Sequence, residues 1–189
     1  MIRQTILAAS LAMAVALPAC AQDRPAPAAE GALTVAPSGR GRTAVTLRRG
    51  RTPVELSIDY GVPVLRGRPL ATLVPAGQVW RLGANASTTL KTDAELTLGT
   101  TVVPAGTYSL FAEPGATEWR LIVNRQSGQW GTQHDPAKDL ARIPMRVRTL
   151  GAPVEAFTMW LIPAGEGAAR GTLVLAWGTT EASVDWSAR

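Results

Sequence analysis

From Val54 to Tyr60 the chain alternates residue by residue. Val54, Leu56, Ile58 and Tyr60 fall on one side, and Glu55, Ser57 and Asp59 on the other. A period of two puts successive side chains on opposite faces and predicts a half-buried strand. Ala44–Leu47 reads as a shorter partner. Thr88–Thr92, Ala94–Leu98, Thr107–Ala112, Trp119–Val123 and Met145–Leu150 read the same way. In Phe157–Ile162 both alternating sets are apolar or large, which predicts a strand covered on both faces. Thr172–Trp177 and Ala182–Trp186 are expected to form a final pair, turning at Gly178-Thr179-Thr180. Trp160, Trp177 and Trp186 lie within regular alternation and are expected in the core. Strands spaced about ten residues apart with Gly and Pro between them predict an all-β fold. The expected fold is an antiparallel β-sandwich of about nine to ten short strands. Asp135–Ile143 is expected to make at most one or two helical turns, with Asp135 as cap and Pro136 in the first position.

One turn element recurs at Val74-Pro75-Ala76-Gly77, Val103-Pro104-Ala105-Gly106 and Ile162-Pro163-Ala164-Gly165. Proline presets φ at the second turn position and glycine suits the fourth. The flanking sequences differ, so turn chemistry explains the recurrence without a repeat architecture.

The N-terminus departs from this pattern. Arg3 precedes an apolar run from Ile6 to Leu17 broken only by Ser10, and Pro18-Ala19-Cys20-Ala21 follows. A short positive start, an apolar stretch and small residues predict an export signal over residues 1–21. The run is shorter than the ~20 residues a membrane-spanning helix needs. Ala19-Cys20-Ala21 suits cleavage before Gln22. Leu17-Pro18-Ala19-Cys20 alternatively resembles a lipobox, which would make Cys20 a lipidated first residue. The expected location is periplasmic or secreted, with a lipid anchor through Cys20 as the alternative. Either way, the mature domain has no cysteine to pair and must be held by its core. Residues 22–42, rich in Pro, Ala, Gly and Arg, read as a disordered tether. Residues 43–189 form one domain of a size that can sustain a core.

Composition adds one point. The formal charge is +5, falling to +4 without Arg3, and the only lysines are Lys91 and Lys138. The densest basic run is Arg40, Arg42, Arg48, Arg49 and Arg51. It suits anionic headgroups or acidic glycan, but the favoured reading is a solvated flank of the tether. No basic and aromatic interleaving matches a nucleic-acid motif, so nucleic acid is not an expected partner.

Chemistry concentrates in Leu73–Asn85, where a Trp80-Arg81 pair and Asn85 interrupt an otherwise apolar, turn-rich segment. Buried Arg and Asn demand partners, so this segment is either a polar anchor or the wall of a site. As a site, it would combine flat faces from Tyr60, Trp80, Tyr108, Trp119 and Trp130 with donors from Arg66, Arg68, Arg81 and Asn85. Arginine forks suit carboxylate or phosphate, and aromatic faces suit sugar or lipid. As an anchor, Arg81 would pair with Asp59, Asp93 or Asp139. The leading functional expectation is non-enzymatic binding of an anionic or glycan ligand of the cell envelope, without a cofactor. An envelope hydrolase is the alternative, using His134 with Asp135 or Asp139, or a pair drawn from Glu113, Glu118 and Glu155. A scaffold docking to a protein partner is a third reading. One His and one Cys do not make a zinc site. Asp135 and Asp139 are weak candidates for a shared hard cation.

A series of short motifs runs in order along the domain. It begins with Tyr60-x-x-Pro63 and Arg66-Gly67-Arg68. Next comes Leu73-Val74-Pro75-x-Gly77-x-Val79-Trp80-Arg81-x-Gly83-Ala84-Asn85. Pro104-Ala105-Gly106-Thr107-Tyr108-Ser109-Leu110-Phe111, Pro114 and Glu118-Trp119 follow. The series ends with Asn124, Trp130-Gly131, Asp139, Arg142 and Leu173-x-Leu175-x-Trp177-Gly178. It resembles the exported bacterial family called domain of unknown function 2911, over about Thr43 to Trp186. The resemblance implies a secreted or periplasmic all-β domain of Gram-negative bacteria, and no catalytic residue. His134-Asp135 stands where an aromatic-acidic pair is expected after the Trp-Gly.

Overall fold

The computed structural model describes residues 38–115 and 117–189. The export signal, Cys20 and the tether as far as residue 37 lie outside the described residues. The alternation translates directly into strands. β1 (Arg40–Arg49) and β2 (Thr52–Gly61) form a long hairpin. β3 (Thr88–Thr92), β4 (Leu96–Leu98), β5 (Thr101–Val103), β6 (Gly106–Pro114) and β7 (Trp119–Asn124) follow. β8 (Asp139–Pro163) and β9 (Arg170–Ala188) complete a nine-stranded antiparallel sheet, ordered β1-β2-β3-β6-β7-β8-β9-β4-β5. Among the described residues, no helix is long and apolar enough to cross a membrane.

The predicted fold class holds, but the strands are not all short. Met145–Leu150 and Phe157–Ile162 belong to one 25-residue strand, and the final expected pair is one 19-residue strand. Gly178 (φ +58°) does not turn the chain back, because its left-handed backbone is absorbed where the β8–β9 register shifts. β1 begins at Arg40, so residues 40–42, read from the sequence as the end of the tether, are strand. Their partners Gly61, Tyr60 and Asp59 are already extended on β2. The expected helical turns shrink to a 3-10 turn, Pro136–Lys138. Asp135 caps it, its side chain accepting from the Ala137 N–H, and the chain leaves as strand from Asp139. A four-residue helix, α1 (Leu70–Leu73), precedes the Leu73–Asn85 segment.

β8 explains how a single sheet encloses a core. Its first residues, to Met145, pair with β7, and from Arg146 onward it pairs with β9. The sheet therefore folds on itself. Leu56, Ile58, Leu90, Leu110 and Leu121 from one half share a cluster with Phe157, Met159, Leu175, Trp177 and Trp186 from the other. Tyr60 ties the halves together. Its ring meets Phe157 edge-on at 5.6 Å, and its hydroxyl accepts the buried N–H of Met159 at 3.1 Å. Tyr60→Phe would leave that N–H without a partner. It is expected to cost about 1–3 kcal/mol in urea denaturation. No change would mean that the contact contributes nothing.

Trp160 does not join Trp177 and Trp186 in the core. It is 40% exposed and Ile162 is 49% exposed, so one face of this part of β8 is open and only Phe157, Met159 and Leu161 point inward. β6 and β7, by contrast, are covered on both faces. Phe111 and Ile122 are buried yet stand outside the main cluster, on the outer side of the sheet.

Candidate functional site

The segment around Trp80 runs beside the end of β6. Trp80 and Ala112 exchange both backbone hydrogen bonds, at 2.7 and 2.9 Å. Alternation then divides the segment by face. Trp80 and Leu82 point into the core, while Val79 and Arg81 lie on the outer side with Phe111. The strand reading ends abruptly at Leu82 (φ +48°) and Asn85 (φ +62°), two left-handed non-glycine residues. Such conformations cost about 1–3 kcal/mol each and persist only where the surroundings over-determine them. Here the Thr88 hydroxyl donates to the Leu82 carbonyl at 2.6 Å, and the Asn85 carbonyl accepts the Gly131 N–H at 2.9 Å.

The 125–138 loop closes over this outer face, and a buried asparagine organises it. The Asn124 amide donates to the Asp135 carbonyl and to Asp139 Oδ1, both at 2.8 Å, while its oxygen accepts the Gln126 N–H. This holds His134 against Phe111, with ring centroids 4.6 Å apart. His134 Nε2 lies 2.7 Å from Asp139 Oδ1. Arg142 donates to Asp139 Oδ2 at 2.9 Å and to Glu113 at 2.8 Å, extending the network to the surface. Burial pushes the Asp139 carboxyl up, but hydrogen bonds from Asn124, His134 and Arg142 outweigh it and hold the group below its ordinary range. Arg142 is shifted upward: desolvation opposes its charge, and Asp139 and Glu113 more than compensate.

Between the Trp80 segment and the loop lies a cavity of about 270 Å³, lined by Leu73, Val79, Trp80, Arg81, Phe111, Gly131, Thr132 and His134. Arg81 is its one permanent cation. Among the described residues it has no carboxylate partner. Asp59 pairs with Arg40, Asp93 faces Lys91 and the Glu55 N–H, and Asp139 is taken by His134 and Arg142. Arg81 has instead one long hydrogen bond, Nε to the Gly83 carbonyl at 3.3 Å. The architectural expectation for Arg81, an internal ion pair, is therefore not met.

The remaining sequence candidates separate. Tyr60 and Trp119 are buried in the core. Tyr108 is also buried, its hydroxyl donating to the Pro104 carbonyl at 3.0 Å across the β5–β6 turn. Arg66 and Arg68 sit on a different loop, where Arg68 donates to the Leu65 and Val64 carbonyls and the Arg66 N–H is bound by Glu155. Asn85 is exposed and its amide reaches the Ser38 carbonyl. Trp130 is 52% exposed, one residue before cavity-lining Gly131. Asp135 and Asp139 do not form a cation pair: Asp135 serves its own turn and Lys138, and Asp139 is occupied by protein donors. Among the described residues no group of three or more His, Cys, Asp or Glu could hold a metal. Sequence reasoning gave no role to Phe111 or Asn124. Asn124 was visible as a lone amide ending the apolar run Leu121-Ile122-Val123. Phe111 carried no signal apart from the core.

The model of a protein family described as "Protein of unknown function (DUF2911)" matches residues 43–186. The chain belongs to this family. No curated protein and no solved structure matches it. Within this DUF2911 domain the match spans the core, the Trp80 segment and the loop bearing His134.

Proposed function

We propose that this DUF2911 domain is exported and binds a small anion with an apolar portion, a component of the cell envelope, in the Arg81 cavity. One observation carries the reading: a guanidinium with no carboxylate partner among the described residues lines a cavity whose wall is apolar at Leu73, Val79, Trp80 and Phe111 and polar at Thr132 and His134. Such a cation offers a fork to carboxylate, phosphate or sulfonate, and the walls take the apolar body. Sugar-ring stacking has less support, because Tyr60, Trp80, Tyr108 and Trp119 turn their faces to the core and Trp130 alone is exposed. The export pattern of residues 1–21 supports the location, and fractionation of the expressing cell tests it.

Calorimetric titration with benzenesulfonate tests the binding. Saturable binding is expected, with benzyl alcohol far weaker. Arg81→Ala is expected to weaken benzenesulfonate at least about tenfold, equivalent to about 1.4 kcal/mol. The same variant should change folding stability by less than about 1 kcal/mol, since Arg81 closes no ion pair. Equal affinity in both proteins, or no binding by either, sinks the proposal.

A second reading, hydrolysis, draws on the 2.7 Å contact between His134 and Asp139. No Ser or Cys lines the cavity, which leaves water or the Thr132 hydroxyl as the nucleophile. The glutamates give it less support: Glu113 is bound by Arg142, Glu155 by the Arg66 N–H, and Glu118 lies beside Arg120. Hydrolysis of an anionic ester that vanished in His134→Ala would favour it over simple binding.

A further inference from the structure

We infer that anion binding in the Arg81 cavity is coupled to uptake of one proton by His134, so that the ligand is held between a permanent cation and a switchable one. This rests on the cavity being the binding site. The geometry fixes which nitrogen is involved. Asp139 Oδ1 faces His134 Nε2 at 2.7 Å, and an ionised carboxylate only accepts, so Nε2 carries a proton in both forms of the ring. Nδ1 is then the nitrogen that gains or loses one. It makes no hydrogen bond to a described residue, and the ring lines the same cavity as Arg81.

The charges around the ring set the direction of the coupling. From β8, Asp139 contacts the ring at Nε2, and Arg142 behind it shares that carboxylate with His134. From β6 the ring meets the uncharged face of Phe111, and Glu113 on the same strand is occupied by Arg142. Along its own loop, Asp135 is paired with Lys138. From the Trp80 segment comes Arg81, a like charge across the cavity without a carboxylate of its own. A protonated His134, paired with Asp139 on the strand side, shares the cavity with the like charge of Arg81, a repulsion that stands until an anion enters. The anion replaces that repulsion with two attractions, and so raises the proton affinity of Nδ1. Linkage makes the effect reciprocal: affinity is highest in acid and falls as pH rises, by up to about tenfold per pH unit where uptake is complete.

His134 is the only histidine in the chain, so its ring proton signal needs no assignment. The experiment follows that signal by NMR through a pH titration of the full mature protein in cationic buffers, which do not compete for Arg81. It is run with and without benzenesulfonate, which stays ionised throughout. The titration midpoint is expected to move upward with benzenesulfonate, and the move to disappear in Arg81→Ala. Calorimetry in Tris and bis-Tris at about pH 7 should show up to one proton taken up per ligand, and none in His134→Gln. Binding with an unmoved midpoint and no uptake overturns the coupling and leaves the binding site standing. Uptake that survives His134→Gln overturns it as well. Absence of benzenesulfonate binding removes both the site and the coupling.

Discussion

Trp80→Ala is expected to destabilise the fold by about 3–5 kcal/mol, the range for removing a packed core aromatic. The indole lies 18° from parallel with Trp177 at 5.6 Å, and meets Phe157 and Trp119 edge-on at 5.0 and 6.3 Å. Each neighbour belongs to a different strand, so a truncated side chain leaves a space that no single strand can fill by shifting. Set against a total stability of about 5–15 kcal/mol for ordinary domains, the loss takes a fifth or more of what holds this one together. Guanidinium denaturation at neutral pH measures it, and a loss under about 1 kcal/mol would show that the ring is not packed as described. The result bears on function. A binding defect in Trp80→Ala would combine a failing core with a lost part of the cavity wall, whereas removing its sequence neighbour Arg81 is expected to leave the fold intact.

Asp139→Ala is expected to cost about 2–4 kcal/mol at neutral pH, because it leaves one N–H of the wholly buried Asn124 amide without its acceptor, removes the carboxylate from His134 and leaves Arg142 with Glu113 alone. The exposed side of Arg142 regains water and keeps the figure from being larger. The same carboxylate gives an acid signature. Its folded value lies below its ordinary one, so its contribution is complete above the unfolded-chain value of about 3.9. The contribution is lost as pH falls through the lowered folded value. The gap between wild type and Asp139→Ala should therefore close on acidification below about pH 4. Urea titrations of both proteins at neutral and acid pH measure this. A gap that stays constant would show that folding does not lower the proton affinity of this carboxyl.

Periodicity made much of the sheet legible, because a half-buried strand writes its two faces into the sequence. It could not show that Gly178 is crossed without a turn. A glycine flanked by threonines looks the same whether it reverses the chain or marks a register shift, and only the pairing with β8 distinguishes them. The site was half legible. Trp80 and Arg81 stood out as polar and aromatic interruptions, and His134 as the sole histidine. That these residues lie at one place was not readable, since it depends on the 125–138 loop folding back over β6. The division of labour within the pair was not read either. Trp80 faces the core and Arg81 the cavity, a consequence of period-two alternation continuing one residue beyond what looked like a turn. Tyr60 and Tyr108 illustrate the opposite error: a phenol suggests a ligand contact, and here each hydroxyl is spent on backbone.

The sheet order leaves β1 and β5 at its two ends. An outermost strand offers its unpaired backbone to any other extended chain, a standing hazard for a β protein without disulfides. Each end is made a poor template in its own way. β5 is three residues long, too short to recruit a partner. β1 is ten residues long but carries Arg40, Arg42, Arg48 and Arg49 on its exposed positions; Arg40 and Arg42 are paired with Asp59 and Glu55, and Arg48 and Arg49, without an ion pair among the described residues, would meet their own charges on a second copy approaching edge to edge. The arginine run thus suits a role that needs no ligand: a charged edge disfavours edge-to-edge pairing of neighbouring molecules. Replacing those arginines would show its effect in shelf life and turbidity before any change in the fold.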